Sequence, residues 1–96
     1  MHMISRRRLK RFWEEHPDAE TALRHWIKAV ESAGWSNFRD VRQLFGSADH
    51  VGELVVFKIA GNKYRLIVVI HYDRQRCYVR HILTHKEYDL RKWKKG

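Results

Sequence analysis

The chain has a single cysteine, a single proline, few acids relative to its bases and no long apolar run. With only Cys77, no intramolecular disulfide is possible, which fits a reducing, cytoplasmic setting. Cys77 stands in an apolar stretch, which predicts a buried, inert thiol. No Pro-, Gly- or Ser-rich linker interrupts the 96 residues, so one domain over residues 1–96 is expected. The longest apolar run, residues 66–70, is far below the roughly 20 residues that span a bilayer. No apolar leader precedes Arg6-Arg7-Arg8, so neither export nor a membrane partner is expected. Acids number 11 against 20 lysines and arginines, a net charge of +9 that points to a polyanionic partner: nucleic acid or an acidic protein segment. A hydrophobic content of 44% excludes a disordered basic tail and supports a packed core.

What is present reads as helices first, then strands. Ser5 is placed to cap a basic helix ending at Glu15, with Leu9, Phe12 and Trp13 as its apolar stripe. His16-Pro17-Asp18 stops that helix and starts another, proline being suited to a first helical turn. Ala19, Ala22, Leu23, Trp26, Ile27, Val30 and Ala33 then recur with helical spacing. Ser36 or Asn37 caps a third helix that turns Val41, Leu44 and Phe45 inward. Residues 47–52 read as a polar loop. The period then changes to two: a strand over 54–59, a tight turn at Gly61-Asn62, a doubly apolar and therefore central strand over 64–72, a turn at 73–76, and a strand over 77–83. Thr84 and Glu87 have capping-box spacing for a last helix from 85 to about 93, followed by a basic tail that frays. The expected fold class is α+β: N-terminal helices on one face of a small antiparallel sheet, with a short C-terminal helix.

Hairpin arithmetic sets out a candidate site. A two-residue turn at Gly61-Asn62 puts Lys58 opposite Arg65, Val56 opposite Ile67 and Leu54 opposite Val69. A symmetric turn at 73–76 then pairs Val69 with Arg80 and Arg65 with Thr84. Lys58, Arg65, Arg80 and the start of the last helix would share one face. Such a cationic array suits a phosphodiester: the cations hold the backbone and stabilise charge on the scissile phosphate. RNA brings its own nucleophile, the 2′-hydroxyl, so cleavage requires a base and an acid but no metal or other cofactor. His85 and Tyr88, in the first turn of the last helix, are the candidate proton carriers, and Lys86 beside them is a backbone contact. Each has an ordinary alternative. Arg65, Arg80, Lys58 and Lys86 read equally as solvated charges, His85 as a polar first-turn residue, Tyr88 as a ring packed on the sheet edge, and Asn62 as a turn residue. His81 and His85 straddle a strand–helix junction with no supporting acid or cysteine, so no metal site is expected. Trp13, Trp26 and Trp35 read as core. The basic face at Arg6, Arg7, Arg8, Lys10 and Arg11 suits phosphates, an acidic protein segment or water alone.

Four stretches together resemble HigB-type toxins of the RelE-like superfamily of toxin–antitoxin ribonucleases. They are Met-His-Met-Ile-Ser-Arg at the start, Phe-Trp-Glu-Glu-His-Pro-Asp-Ala-Glu at 12–20, Gly61-Asn62-Lys63-Tyr64-Arg65, and Tyr78-Val79-Arg80 followed by Thr84-His85-Lys86-Glu87-Tyr88-Asp89. The Gly-Asn-x-x-Arg hairpin and the Thr-His-x-Glu-Tyr-Asp junction are the most specific of these. The resemblance implies endonucleolytic cleavage of mRNA, commonly on the translating ribosome. It also implies neutralisation by a HigA-like helix-turn-helix antitoxin, with promoter DNA reached only through that complex. It matches Arg65, Arg80, His85 and Tyr88, the expected catalytic set, and Lys86; the expected RNA contacts are Lys58, Asn62, Lys63 and Lys86, although nothing in the motif fixes a lysine at 58 or 63. The rival reading is a non-catalytic RNA- or ribosome-binding module. A DNA-binding regulator is disfavoured, because no basic recognition-helix pattern stands out.

Overall fold

Leu9 and Trp13 set the first helix against the sheet. Both are buried on a helix whose remaining faces are almost wholly charged. A computed structural model describes residues 1–91 and Trp93. The chain runs β1 (His2–Ile4), α1 (Arg6–Glu15), a single 3-10 turn (Pro17–Ala19), α2 (Glu20–Ser32), α3 (Phe38–Leu44), β2 (Asp49–Val51), β3 (Leu54–Ile59), β4 (Tyr64–His71), β5 (Arg76–Thr84) and α4 (His85–Asp89). The α+β class is as expected. The frayed basic tail expected at Lys92, Lys94, Lys95 and Gly96 lies outside the described residues.

Ser5 precedes α1 but does not cap it. Its backbone is left-handed, φ 73°, whereas a capping side chain needs an extended backbone to reach the free amides. The Ser5 carbonyl accepts from the Arg8 N–H at 3.1 Å instead. Pro17 opens the 3-10 turn that hands the chain to α2. Asn37 caps α3, its Oδ1 accepting from the Asp40 N–H at 3.1 Å. Val41 is buried, but Leu44 is 55% exposed rather than inward. Phe45, just past the end of α3, takes the inner position, its ring centroid 5.2 Å from that of Phe57 and 6.2 Å from that of Trp35.

The sheet has five strands in the order β1-β5-β4-β3-β2, with β4 central as expected. It is mixed rather than purely antiparallel, because β1 pairs parallel to the start of β5. The segment read as a loop over 47–52 contains β2, antiparallel to β3. Both missed strands have three residues, too few to display a period. The β3–β4 register is the expected one, with Lys58 opposite Arg65 and Val56 opposite Ile67.

The β4–β5 register is not the expected one. His71 pairs with Arg76 and Val69 with Tyr78 rather than Arg80. The turn closes over 72–75, where Gln75 takes φ 55° and its side chain donates to the carbonyls of Trp35 and Tyr72 at 2.7 and 2.8 Å. A β-bulge opposite Ile67 and Val68 then leaves Arg80 as an extra residue between Val79 and His81. Beyond the bulge Arg65 pairs with Leu83, not Thr84.

The main core lies between the helices and one sheet face. Leu9, Leu23, Trp26 and Val30 meet Val55, Phe57, Leu66 and Val68, and Trp13 and Trp35 belong to the same core. Cys77 is fully buried, and burial pushes its thiol up to about 12. A second, small cluster of Val56, Ile67 and Trp93 covers part of the opposite face. α4 makes it possible by stopping at Asp89 rather than reaching 93. Arg91 adopts a left-handed φ of 57°, its N–H donates to the Tyr88 carbonyl at 3.0 Å, and the chain turns Trp93 back onto the sheet. Among the described residues no helix is long and apolar enough to cross a membrane.

Candidate active site

The β3–β4 register places Lys58 and Arg65 side by side on the sheet face that α1 and α2 leave uncovered. Lys58 is exposed, whereas Arg65 is only 6% exposed. The Arg65 guanidinium is held by the hairpin it follows. Nη1 donates to the carbonyls of Asn62 and Tyr64 at 3.1 and 3.2 Å, and Nη2 donates to Asn62 Oδ1 at 2.5 Å. No carboxylate pairs with it among the described residues. A buried cation held only by neutral oxygens keeps its full charge for an incoming anion.

α4 supplies the roof. Its capping box is complete: Thr84 Oγ1 accepts from the Glu87 N–H at 3.2 Å and Glu87 Oε1 accepts from the Thr84 N–H at 2.9 Å. The His85 N–H donates to the Lys63 carbonyl at 2.9 Å, which ties the helix start to the hairpin turn. One turn on, the Tyr88 ring centroid lies 5.4 Å from the Arg65 guanidinium carbon. Tyr88 also stacks on Trp93 at 5.0 Å, and Trp93 Nε1 donates to the Tyr88 carbonyl at 2.9 Å. Lys58, Arg65 and Tyr88 thus line one cleft of about 320 Å³.

Two further residues of this cleft, Arg42 and Asp49, went unmarked in the sequence. Arg42, near the end of α3, donates to the Gly46 carbonyl at 3.1 Å, and no local pattern announces that this helix brings it to the cleft. Asp49 belongs to the three-residue strand β2.

The other expected residues fall elsewhere. Asn62 turns its side-chain oxygen to Arg65. Lys63 extends its ammonium to Asp18, 3.1 Å away, on the helical side. Lys86 is exposed. His85 Nε2 lies 3.3 Å from Asp89 Oδ2 and does not line the cleft. Arg80 does not converge with Arg65, because the bulge and the shifted register carry it to a different depression beside Arg8, Arg11 and His81. There His81 has its pKa lowered by burial first, then by the charges of Arg8 and Arg80. Among the described residues no group of three or more His, Cys, Asp or Glu is placed to hold a metal ion.

Residues 19–91, which contain Lys58, Arg65 and Tyr88, match the family model of the HigB toxin, described as the RelE-like toxic component of a toxin–antitoxin system. The chain is 30% identical over 93 residues to the mRNA interferase toxin HigB of Escherichia coli K12, covering 94% of this chain and 89% of that protein. The mRNA interferase HigB of Shigella flexneri matches to the same extent, 30% over 93 residues with 94% and 89% coverage. A HigB of Escherichia coli O6:H1 is 27% identical over 92 residues, with 93% and 89% coverage. The match runs through both layers of the fold and across the residues of the cleft, and so the chain belongs to the HigB toxin family, the RelE-like toxic components of toxin–antitoxin systems.

Proposed function

We propose that the chain is an endoribonuclease that cleaves mRNA and so inhibits translation, with the Lys58–Arg65–Tyr88 cleft as its active site. The observation that carries this reading is the buried Arg65 guanidinium, paired with no carboxylate among the described residues and set beneath the Tyr88 ring. In this reading the RNA 2′-oxygen attacks the adjacent phosphorus and loses its proton to a base. The bond from phosphorus to the 5′-oxygen breaks, and that oxygen takes a proton. The products are a 2′,3′-cyclic phosphate and a free 5′-hydroxyl. Arg65 stabilises the charge that builds on the non-bridging oxygens, and Lys58 and Arg42 hold the flanking backbone.

Tyr88 is the proton acceptor. It stands beside the cations Arg42, Lys58 and Arg65, which line the same cleft. His85 stands three residues earlier on α4, outside the cleft itself, and is the proposed donor to a leaving oxygen that exits over the start of that helix. No step requires a metal. The wider setting is the ribosome in the cytoplasm, with activity held in check by a HigA-like helix-turn-helix antitoxin. Promoter DNA is reached only through that complex.

The test is brief expression of the chain with and without its antitoxin, with primer extension across cellular mRNA. New 5′ ends should appear with the wild type, vanish with Arg65→Ala and be suppressed by the antitoxin. Growth arrest without new ends would replace this reading with a non-catalytic RNA- or ribosome-binding module.

A further inference from the structure

A second cluster of cations stands on the edge of β5. β1 covers that edge only over residues 76–78, so the upper part of the strand faces α1. The bulge at Arg80 leaves its carbonyl outside the ladder, and Arg8 Nη1 of α1 donates to it at 2.5 Å. Arg8, Arg11, Arg80 and His81 thereby line one depression of about 320 Å³ on a floor that includes Phe12, with Glu15 as the one acid among the described lining residues. The side chains of Arg11 and Arg80 have no hydrogen-bonded or ionic partner among the described residues and are exposed. Burial first, and then the charges of Arg8 and Arg80, lower the pKa of His81.

This depression is not isolated. Arg80 and His81 also line the next one, which reaches Trp93 and Val51. Trp93 and Val51 line a third, which is walled by Tyr88. Tyr88 in turn lines the Arg65 cleft. Neighbouring depressions therefore share lining residues from the Arg65 cleft to Arg8 and Arg11, the middle two also bearing Glu53, Asp49 and Asp89. Arg80 lies three positions along β5 from Leu83, the residue opposite Arg65, so the two cation clusters are roughly 10 Å apart along the strand direction. One phosphate cannot reach both, whereas one strand with a regular run of phosphates can.

We propose that the Arg8–Arg11–Arg80 cluster is a second phosphodiester subsite, which holds the backbone of the same single-stranded RNA away from the scissile bond. The proposal rests on the reading of the Arg65 cleft as the cleavage site. Guanidinium forks suit phosphate oxygens bidentately, and neutral His81 adds a hydrogen-bonding group without adding charge. An acidic protein segment would also satisfy three arginines, but it would have no reason to follow a groove that leads to Arg65.

The probe is 2′-O-methyl RNA, which binds but lacks the nucleophile, used as a trinucleotide and as a nonanucleotide in fluorescence anisotropy at several salt concentrations. Arg11→Glu is the principal variant because its side chain supports no other part of the fold, and Arg8→Gln is the second. Arg11→Glu should weaken the nonanucleotide about tenfold or more, with little effect on the trinucleotide. The slope of its log affinity against log salt should flatten by about 0.7 for each phosphate no longer neutralised. The His81 imidazole, followed by NMR in the wild type, should titrate at higher pH with the nonanucleotide bound than with the trinucleotide bound. Unchanged nonanucleotide affinity in Arg11→Glu, or equal losses for both lengths, overturns the subsite. If the variant instead loses affinity for an acidic antitoxin peptide, the cluster belongs to the protein partner. Arg65→Ala separates the two readings. Loss of trinucleotide binding there, with no length-dependent effect of Arg11→Glu, leaves the cleavage site standing and removes the subsite. Failure of the wild type to cut mRNA on programmed ribosomes, with the length-dependent effect intact, does the reverse.

Discussion

Asn62 grips Arg65 with both of its oxygens, Oδ1 at 2.5 Å from Nη2 and the carbonyl at 3.1 Å from Nη1. The hairpin turn that sets the β3–β4 register therefore also aims the guanidinium placed under Tyr88. A residue legible as a turn former and as an RNA contact is, in the folded chain, the support of its neighbour three positions on.

Asn62→Ala removes one of the two acceptors that Asn62 offers and leaves the Arg65 fork less constrained. A hydrogen bond to a charged group contributes about 1.5–3 kcal/mol, so cleavage should slow about tenfold or more. The loss should fall on kcat more than on KM, because substrate still meets the same cations. Asn62→Gln keeps a neutral side-chain acceptor and should restore part of the rate. Single-turnover cleavage of a defined mRNA checks this, and equal losses in both variants would remove the positioning role.

Tyr88 and Asp49 both line the cleft, and either is a conceivable proton acceptor. Tyr88→Phe keeps the ring over Arg65 and removes only the hydroxyl. It should slow cleavage about 10²-fold or more, while Asp49→Asn should change the rate only a few-fold. The reverse order, measured under the same single-turnover conditions, would make Asp49 the base.

Asp18 ties the turn before α2 to the sheet, accepting from the Tyr64 hydroxyl at 2.6 Å and from Lys63 Nζ at 3.1 Å. The Tyr64 bond first, then Lys63, lowers the Asp18 pKa, and the bond to Asp18 first, then burial, raises that of Tyr64. The depressed Asp18 pKa contributes stability that is present above the unfolded value of about 4 and is lost as pH falls through the folded one. The raised Tyr64 pKa contributes stability that is full below about 10 and is lost as pH rises through the folded value. The difference in Tm between wild type and Asp18→Asn should be flat between these limits and shrink beyond each. A difference that persists unchanged at acid pH would mean that the tie does not depend on the carboxylate.

Cys77 is fully buried and its thiol is pushed up to about 12 by desolvation, so almost no thiolate exists at neutral pH. Iodoacetamide should leave the native protein unmodified over a period in which the urea-unfolded chain is fully alkylated. Mass spectrometry reads the difference directly, and rapid native labelling would show that β5 opens.

Local chemistry was enough to read much of this fold. Leu9 and Trp13 stand four apart and define the buried stripe of α1. Pro17 marks the break before α2. Thr84 and Glu87 declare the start of α4 by their spacing alone, and both arms of that capping box form. Gly61-Asn62 between two apolar runs was sufficient to pair Lys58 with Arg65. All of these depend on residues within a few positions of one another, where side-chain type and spacing act directly on the backbone.

The amino-acid order by itself determined the helices, the three long strands, the Lys58–Arg65 pair and the cationic character of the surface. The tertiary structure alone decided that His2–Ile4 joins β5 in parallel, that Arg42 and Asp49 enter the cleft, and that Arg80 leaves it for Arg8 and Arg11. The reason is that each of these depends on where a distant segment comes to lie. A single extra residue in β5 shifts every later side chain by one position, and no residue type announces that slip in advance.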